Sequence, residues 1–144
     1  MPTILRGAHR ARRSGPPWWC LLLGLVACGG GKPADQIRRA ASWAATTREL
    51  AIERGLRHVG RAYTLNLLES GQRDVREIAG GLSGSILPPG ARGAPDVIRQ
   101  LDAVMTQAAT AIRQGNPGSL GAAGATAGAL GSRLDTLGAA AEAP

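Results

Sequence analysis

Pro95-Asp96-Val97-Ile98-Arg99-Gln100-Leu101-Asp102-Ala103-Val104-Met105-Thr106-Gln107-Ala108-Ala109-Thr110-Ala111-Ile112 is the stretch from which the fold is read. Val97, Ile98, Leu101, Val104, Met105, Ala108 and Ile112 return every three or four positions, a spacing that gathers side chains on one face of a helix and scatters them across both faces of a strand. The ends agree with the middle. Pro95 lacks the amide proton that a first turn does not need, Asp96 places a negative charge at the positive end of the helix dipole, and Gly115-Asn116-Pro117 is a stop signal. An apolar stripe of this kind has to be covered, so the segments on either side must supply partners.

On the N-terminal side, Asp35 to about Ser70 contains no proline and reads as one long helix. Its predicted inner stripe is Ile37, Ala41, Ala44, Ala45, Ala51, Ile52, Leu56, Val59, Ala62, Tyr63 and Leu67, with Glu49, Glu53, Arg57 and Arg61 along the opposite side. Gly71 is expected to interrupt the helix, which then resumes from Gln72 to about Leu82 with Val75, Ile78, Ala79 and Leu82 inward; the pattern alone does not distinguish one bent helix from two. Gly80-Gly81 leads into a Gly/Pro/Ser loop over residues 83–94 that no helix survives.

On the C-terminal side, Leu120, Ala123, Ala127, Leu130, Leu134, Leu137 and Ala141 form another stripe beside a row of Gly121, Gly124, Gly128 and Gly131. Each glycine costs a helix about 1 kcal/mol relative to alanine, so residues 116–144 become helical only if that row lets another backbone come close; the alternative is a low-complexity tail. The expected fold is therefore all-α, a small antiparallel bundle of three to four helices over residues 35–144. Its core is thin in large side chains, since the chain has no Phe and only Trp43 and Tyr63 as aromatics after residue 28. Marginal stability or stabilisation by a partner follows from so little apolar area.

Residues 1–27 have a different character. Arg6, His9, Arg10, Arg12 and Arg13 precede Gly15-Pro16-Pro17, and an apolar run from Trp18 to Ala27 ends in Cys28. Positive flank, apolar centre and small exit residues are the layout of an export signal. The centre is about ten residues, against the roughly twenty that a spanning helix needs. Leu25-Val26-Ala27-Cys28 resembles the lipobox of bacterial lipoprotein precursors. The resemblance implies a diacylglyceryl group on the Cys28 thiol, cleavage just before it, and a protein held on a membrane by acyl chains, one of which binds marginally while two or three hold durably. Residues 28–34, with Gly29-Gly30-Gly31, then read as the lipidated end of a flexible tether. Gly29, in place of Asp, leans towards the outer membrane where the organism has one, and the domain is expected to face the periplasm or the exterior. Arg12-Arg13 lacks the apolar residues that follow a twin-arginine signal, so general secretion fits better.

Charge and chemistry narrow the function classes. The full chain carries 17 Lys+Arg against 10 Asp+Glu, and setting aside the four leader arginines lowers the formal balance from +7 to +3. The remaining charges are interspersed and no aromatic platform accompanies them, so nucleic acid is not an expected partner. With Cys20 in the leader and Cys28 acylated, no thiol is left for a disulfide or a metal. His58 has Gly55 three residues before it, which excludes a Glu-x-x-His di-iron helix; Met105 reads as core and Ser83 as loop. No catalytic residue, metal or cofactor is expected.

Arg54, Arg57, His58 and Arg61 form one cationic patch that could meet an anionic partner. The leading expectation is a non-enzymatic envelope lipoprotein acting as accessory or adaptor through helix surfaces, with a protein partner or self-association. The alternative is a binding module for a small anionic or apolar ligand between helices, with that patch at its mouth.

Overall fold

The computed structural model describes residues 31–55 and 59–143. They form four α-helices: α1 (Pro33–Gly55), α2 (Arg61–Ser83), α3 (Ala94–Gln114) and α4 (Pro117–Glu142), with one 3₁₀ turn at Pro89–Ala91. The helices run alternately up and down. α1 packs most extensively on α4, α4 on α3, α3 on α2 and α2 on α1, which closes a small antiparallel bundle around one core.

α3 carries the centre of that core. Val97, Ile98, Leu101, Val104, Met105, Ala108 and Ile112 are all buried, as their spacing predicts. Its C-terminus closes with Gly115 at φ 66°, a left-handed conformation that suits glycine, while the Asn116 amide donates to the Ala111 carbonyl at 2.9 Å. The Asn116 side chain then accepts the Ser119 amide at 3.0 Å and Pro117 takes the first turn of α4. One residue thus ends one helix and starts the next, which makes the tight reversal between them.

Two expectations along the N-terminal half are corrected. The helix expected from Asp35 to Ser70 is two helices, with a bend at Val59 and an extended Gly60 (φ −66°, ψ 142°) that begins α2. A single helix over that range would extend about 50 Å, well beyond partners of 21 and 26 residues, whereas folding back lets both halves bury their stripes. Gly71 does not interrupt α2. It is buried inside it, where an added Cβ would come within 2.6 Å of both Trp43 Cε3 and Met105 Cε, so the missing side chain makes room for an indole. The same helix carries on through Gly80 and Gly81 to Ser83.

The inner face of α1 is also rotated from the predicted one. Ile37, Ala41, Ala44 and Ala51 are buried, but Ala40, Thr47 and Leu50 join them while Ala45 is exposed and Ile52 is 45% exposed. In α2, Tyr63 is 62% exposed and Thr64 and Leu68 are buried instead. Both buried threonines satisfy their hydroxyls on the preceding turn: Thr47 donates to the Trp43 carbonyl at 2.8 Å and Thr64 to the Gly60 carbonyl at 2.9 Å. Neither position therefore leaves a polar group stranded.

The predicted C-terminal stripe and glycine row are both present in α4, which is helical from Pro117 to Glu142. Gly124 and Gly131 are buried against α1: a Cβ on Gly124 would sit 2.6 Å from Ala51 Cβ, and one on Gly131 would sit 3.2 Å from Ala44 Cβ. Gly128 lies against the Arg48 side chain, and Gly138 continues the seam to Ile37. Gly121 has nothing within 4 Å and stands outside it. Close approach through small residues is what makes this glycine-rich segment a helix at all.

Polar contacts hold the rims. Trp43 Nε1 donates to Asp74 Oδ2 at 2.6 Å, and Arg39 grips both oxygens of the same carboxylate, joining α1 to α2. Gln72 donates to Thr106 at 2.7 Å, Arg76 to Asp102 at 2.9 Å and Arg113 to Glu69 at 3.0 Å, joining α2 to α3. The hydrogen bond and charge of Asp102 raise the Arg76 pKa above its ordinary value.

Candidate functional site

Four residues were expected to form the cationic patch: Arg54, Arg57, His58 and Arg61. Arg57 and His58 lie outside the described residues, as does Cys28. Arg54 ends α1 and Arg61 begins α2, so the reversal between these helices brings both to one end of the bundle. Neither guanidinium simply extends into solvent. Arg54 Nη1 donates to the Val59 carbonyl at 3.0 Å, and Arg61 Nη2 donates to the Arg113 carbonyl at 2.6 Å. The second contact satisfies one of the carbonyls left open in the last turn of α3. Both arginines thereby tie the reversal to its surroundings, with other donors left on each fork for a partner.

Beside Arg54 is a surface cavity of about 490 Å³ lined by Ala111, Ile112, Gly115, Asn116, Pro117 and Leu120. Its chemistry is mixed: aliphatic surface from Ile112 and Leu120, a cation from Arg54, and the backbone of the α3 to α4 reversal. Such a lining could take a small carboxylate with an apolar tail, the carboxylate on Arg54 and the tail against Leu120. The tight link at Gly115-Asn116-Pro117 is what shapes the hollow, because it draws α4 back before its first apolar residue, Leu120, reaches the core.

The other residues weighed for chemistry have structural roles. Met105 is fully buried with its methyl group towards Gly71, and the Ser83 hydroxyl donates to the Ala79 carbonyl at 2.7 Å. Among the described residues there is no group of three His, Cys, Asp or Glu side chains that could hold a metal ion, and no helix long and apolar enough to cross a membrane. The Trp43, Asp74 and Arg39 cluster was not foreseen. Its members are 31 and 35 positions apart in pairs, and nothing local to any of them signals the contact.

The fold places the chain among small antiparallel four-helix bundles. Comparison with protein-family models, with curated proteins and with solved structures finds no match to this chain.

Proposed function

We propose that this chain is a bacterial envelope lipoprotein, acylated at Cys28 and held at a membrane surface, and that it acts as a non-enzymatic accessory or adaptor through the outer faces of its helices. The observation that carries the reading is the run Leu25-Val26-Ala27-Cys28-Gly29-Gly30-Gly31-Lys32, in which a lipobox-like tetrad is followed at once by a glycine tether and then by the first helix at Pro33. A bundle with a filled core and arginines engaged on backbone carbonyls supports a scaffold role more than a catalytic one. Self-association or a protein partner would add apolar burial to a domain whose α1 to α4 seam is built from alanine and glycine.

The test is Cys28→Ala in a bacterial host, followed by fractionation and intact-mass measurement. Wild-type protein is expected in the membrane fraction with a diacylglyceryl adduct, and the variant in the soluble fraction or with its leader uncut. Equal partitioning of the two would refute the anchor. Crosslinking of the membrane-bound form identifies the partner that an adaptor requires.

A second reading is favoured by one feature, the cavity beside Arg54. A ligand-binding lipoprotein would hold a small anionic, partly apolar molecule there. Arg54→Gln, which removes the cation from the lip of the hollow, would weaken such binding and leave an adaptor's crosslinking pattern unchanged.

A further inference from the structure

The lipid-anchor reading, on which this inference rests, constrains which end of the bundle can meet a bilayer. Cys28 and Pro33 are five residues apart, and a fully extended chain of that length spans at most about 18 Å. Whatever surrounds Pro33 is therefore within reach of the lipid headgroups. The start of α1, the end of α2, the start of α3 and the end of α4 all gather there. Arg38 pairs with both Asp35 and Glu142, Gln36 Oε1 lies beside Gly81, and Gly90 packs so closely on α4 that a Cβ would be 3.0 Å from Ala140 Cβ.

This end also carries the most exposed large apolar side chain among the described residues, Ile86, which is 99% exposed. It is held out by a stiff loop. Leu87 and Ala91 on its C-terminal side are buried, Pro88-Pro89 restricts the backbone between them, and the Ser85 hydroxyl donates to the Gly81 carbonyl at 2.9 Å. A side chain in such a loop cannot fold back against the core, because its neighbours are already committed. The charges nearby are asymmetric in their pairing. Asp35 and Glu142 are engaged by Arg38, and Asp96 by Arg99, whereas Lys32 and Arg92 are exposed cations with no ion pair among the described residues.

We infer that this end of the bundle rests on the bilayer that holds the Cys28 anchor, with Ile86 inserted at the boundary between headgroups and acyl chains and Lys32 and Arg92 against lipid phosphates. One isoleucine is too little to bring a soluble protein to a membrane. Once the acyl chains hold the domain within 18 Å, the second contact is intramolecular and needs only to outweigh tumbling on the tether. The consequence is an orientation: the opposite end, with Arg54, Arg61 and the α3 to α4 cavity, faces away from the bilayer and towards whatever the protein meets.

The test uses the full chain expressed with its leader, purified from membranes and reconstituted in vesicles of phosphatidylethanolamine and phosphatidylglycerol containing brominated lipid. An environment-sensitive fluorophore is placed at Ser85→Cys or, at the far end, at Ser119→Cys, and acylation of Cys28 is checked by mass spectrometry on the same samples. Quenching at position 85 that is severalfold stronger than at 119, and that falls to the level of 119 when Ile86→Asp is added, is the expected result. Acylated protein that shows equal quenching at the two positions, or no change with Ile86→Asp, overturns the docking face and leaves the anchor standing. Protein found without acyl groups at Cys28 removes both. Ser85, Ile86 and Ser119 are all exposed, and far-UV circular dichroism of each sample verifies that the variants fold.

Discussion

The α1 to α4 seam and the α2 to α3 half of the bundle are built on opposite principles. In the first, Ala44 and Ala51 face Gly131 and Gly124, and the helices hold together because their backbones come close enough for many weak contacts. In the second, Leu68, Val75 and Leu82 of α2 share the core with Ile98, Leu101 and Met105 of α3, and each large side chain taken from water contributes about 1.5–3 kcal/mol. One half is therefore sensitive to lost atoms and the other to added ones. The same logic reappears at a single point within α2, where Gly71 admits Trp43.

The largest effect is expected from removing atoms in the large-residue half. Leu101 is fully buried, and Leu101→Ala should lower the unfolding free energy by about 3 kcal/mol in a urea titration followed by circular dichroism. A loss near zero would mean that the centre of the core lies elsewhere. Next comes an addition to the seam. Gly124→Ala forces a methyl group against Ala51, where neither side can rotate away, and the strain should exceed the gain in helix propensity to leave a net cost of about 1–2 kcal/mol by the same titration.

Gly121→Ala, one turn earlier and with nothing within 4 Å, should instead stabilise the protein by about 0.5–1 kcal/mol. Opposite signs at two glycines of one row would establish that packing, and not composition, makes α4. If both substitutions stabilise, the seam is looser than described. The smallest effect belongs to Ile52→Asp. A side chain 45% exposed on the rim of α1 should change stability by no more than about 0.5 kcal/mol, measurable as a shift in thermal midpoint. A large loss there would restore the helix face that the apolar spacing alone suggests.

The Ile52 case shows where legibility stops. Each residue turns a helix by about 100°, so stripes that begin one position apart overlap heavily, and α1 is rich in alanines that suit either side. Ala40, Thr47 and Leu50 lie one position off the stripe that contains Ala41 and Ala51, and the approach of α4 to Ala41, Ala44 and Ala51 is what sets the phase. α3 is free of this ambiguity because its large residues occupy one face, Pro95 marks its first turn and Gly115 its end. Of the candidate site, Arg54 and Arg61 are legible as charges seven positions apart; their engagement on the carbonyls of Val59 and Arg113 is not, because the second of those partners is 52 positions from Arg61.

By itself the sequence determined that this protein is helical, where α3 begins and ends, that a glycine row would need a close neighbour, and that residues 25–28 resemble an acylation signal. Those are local facts, carried by side-chain spacing, caps and short-range backbone preference. Only the tertiary structure decided that the N-terminal half folds back at Gly60, that Gly71 stays within its helix, which face of α1 is buried, and that Trp43 meets Asp74. Each of these depends on how much apolar surface distant helices offer one another, a quantity that no window along the chain contains.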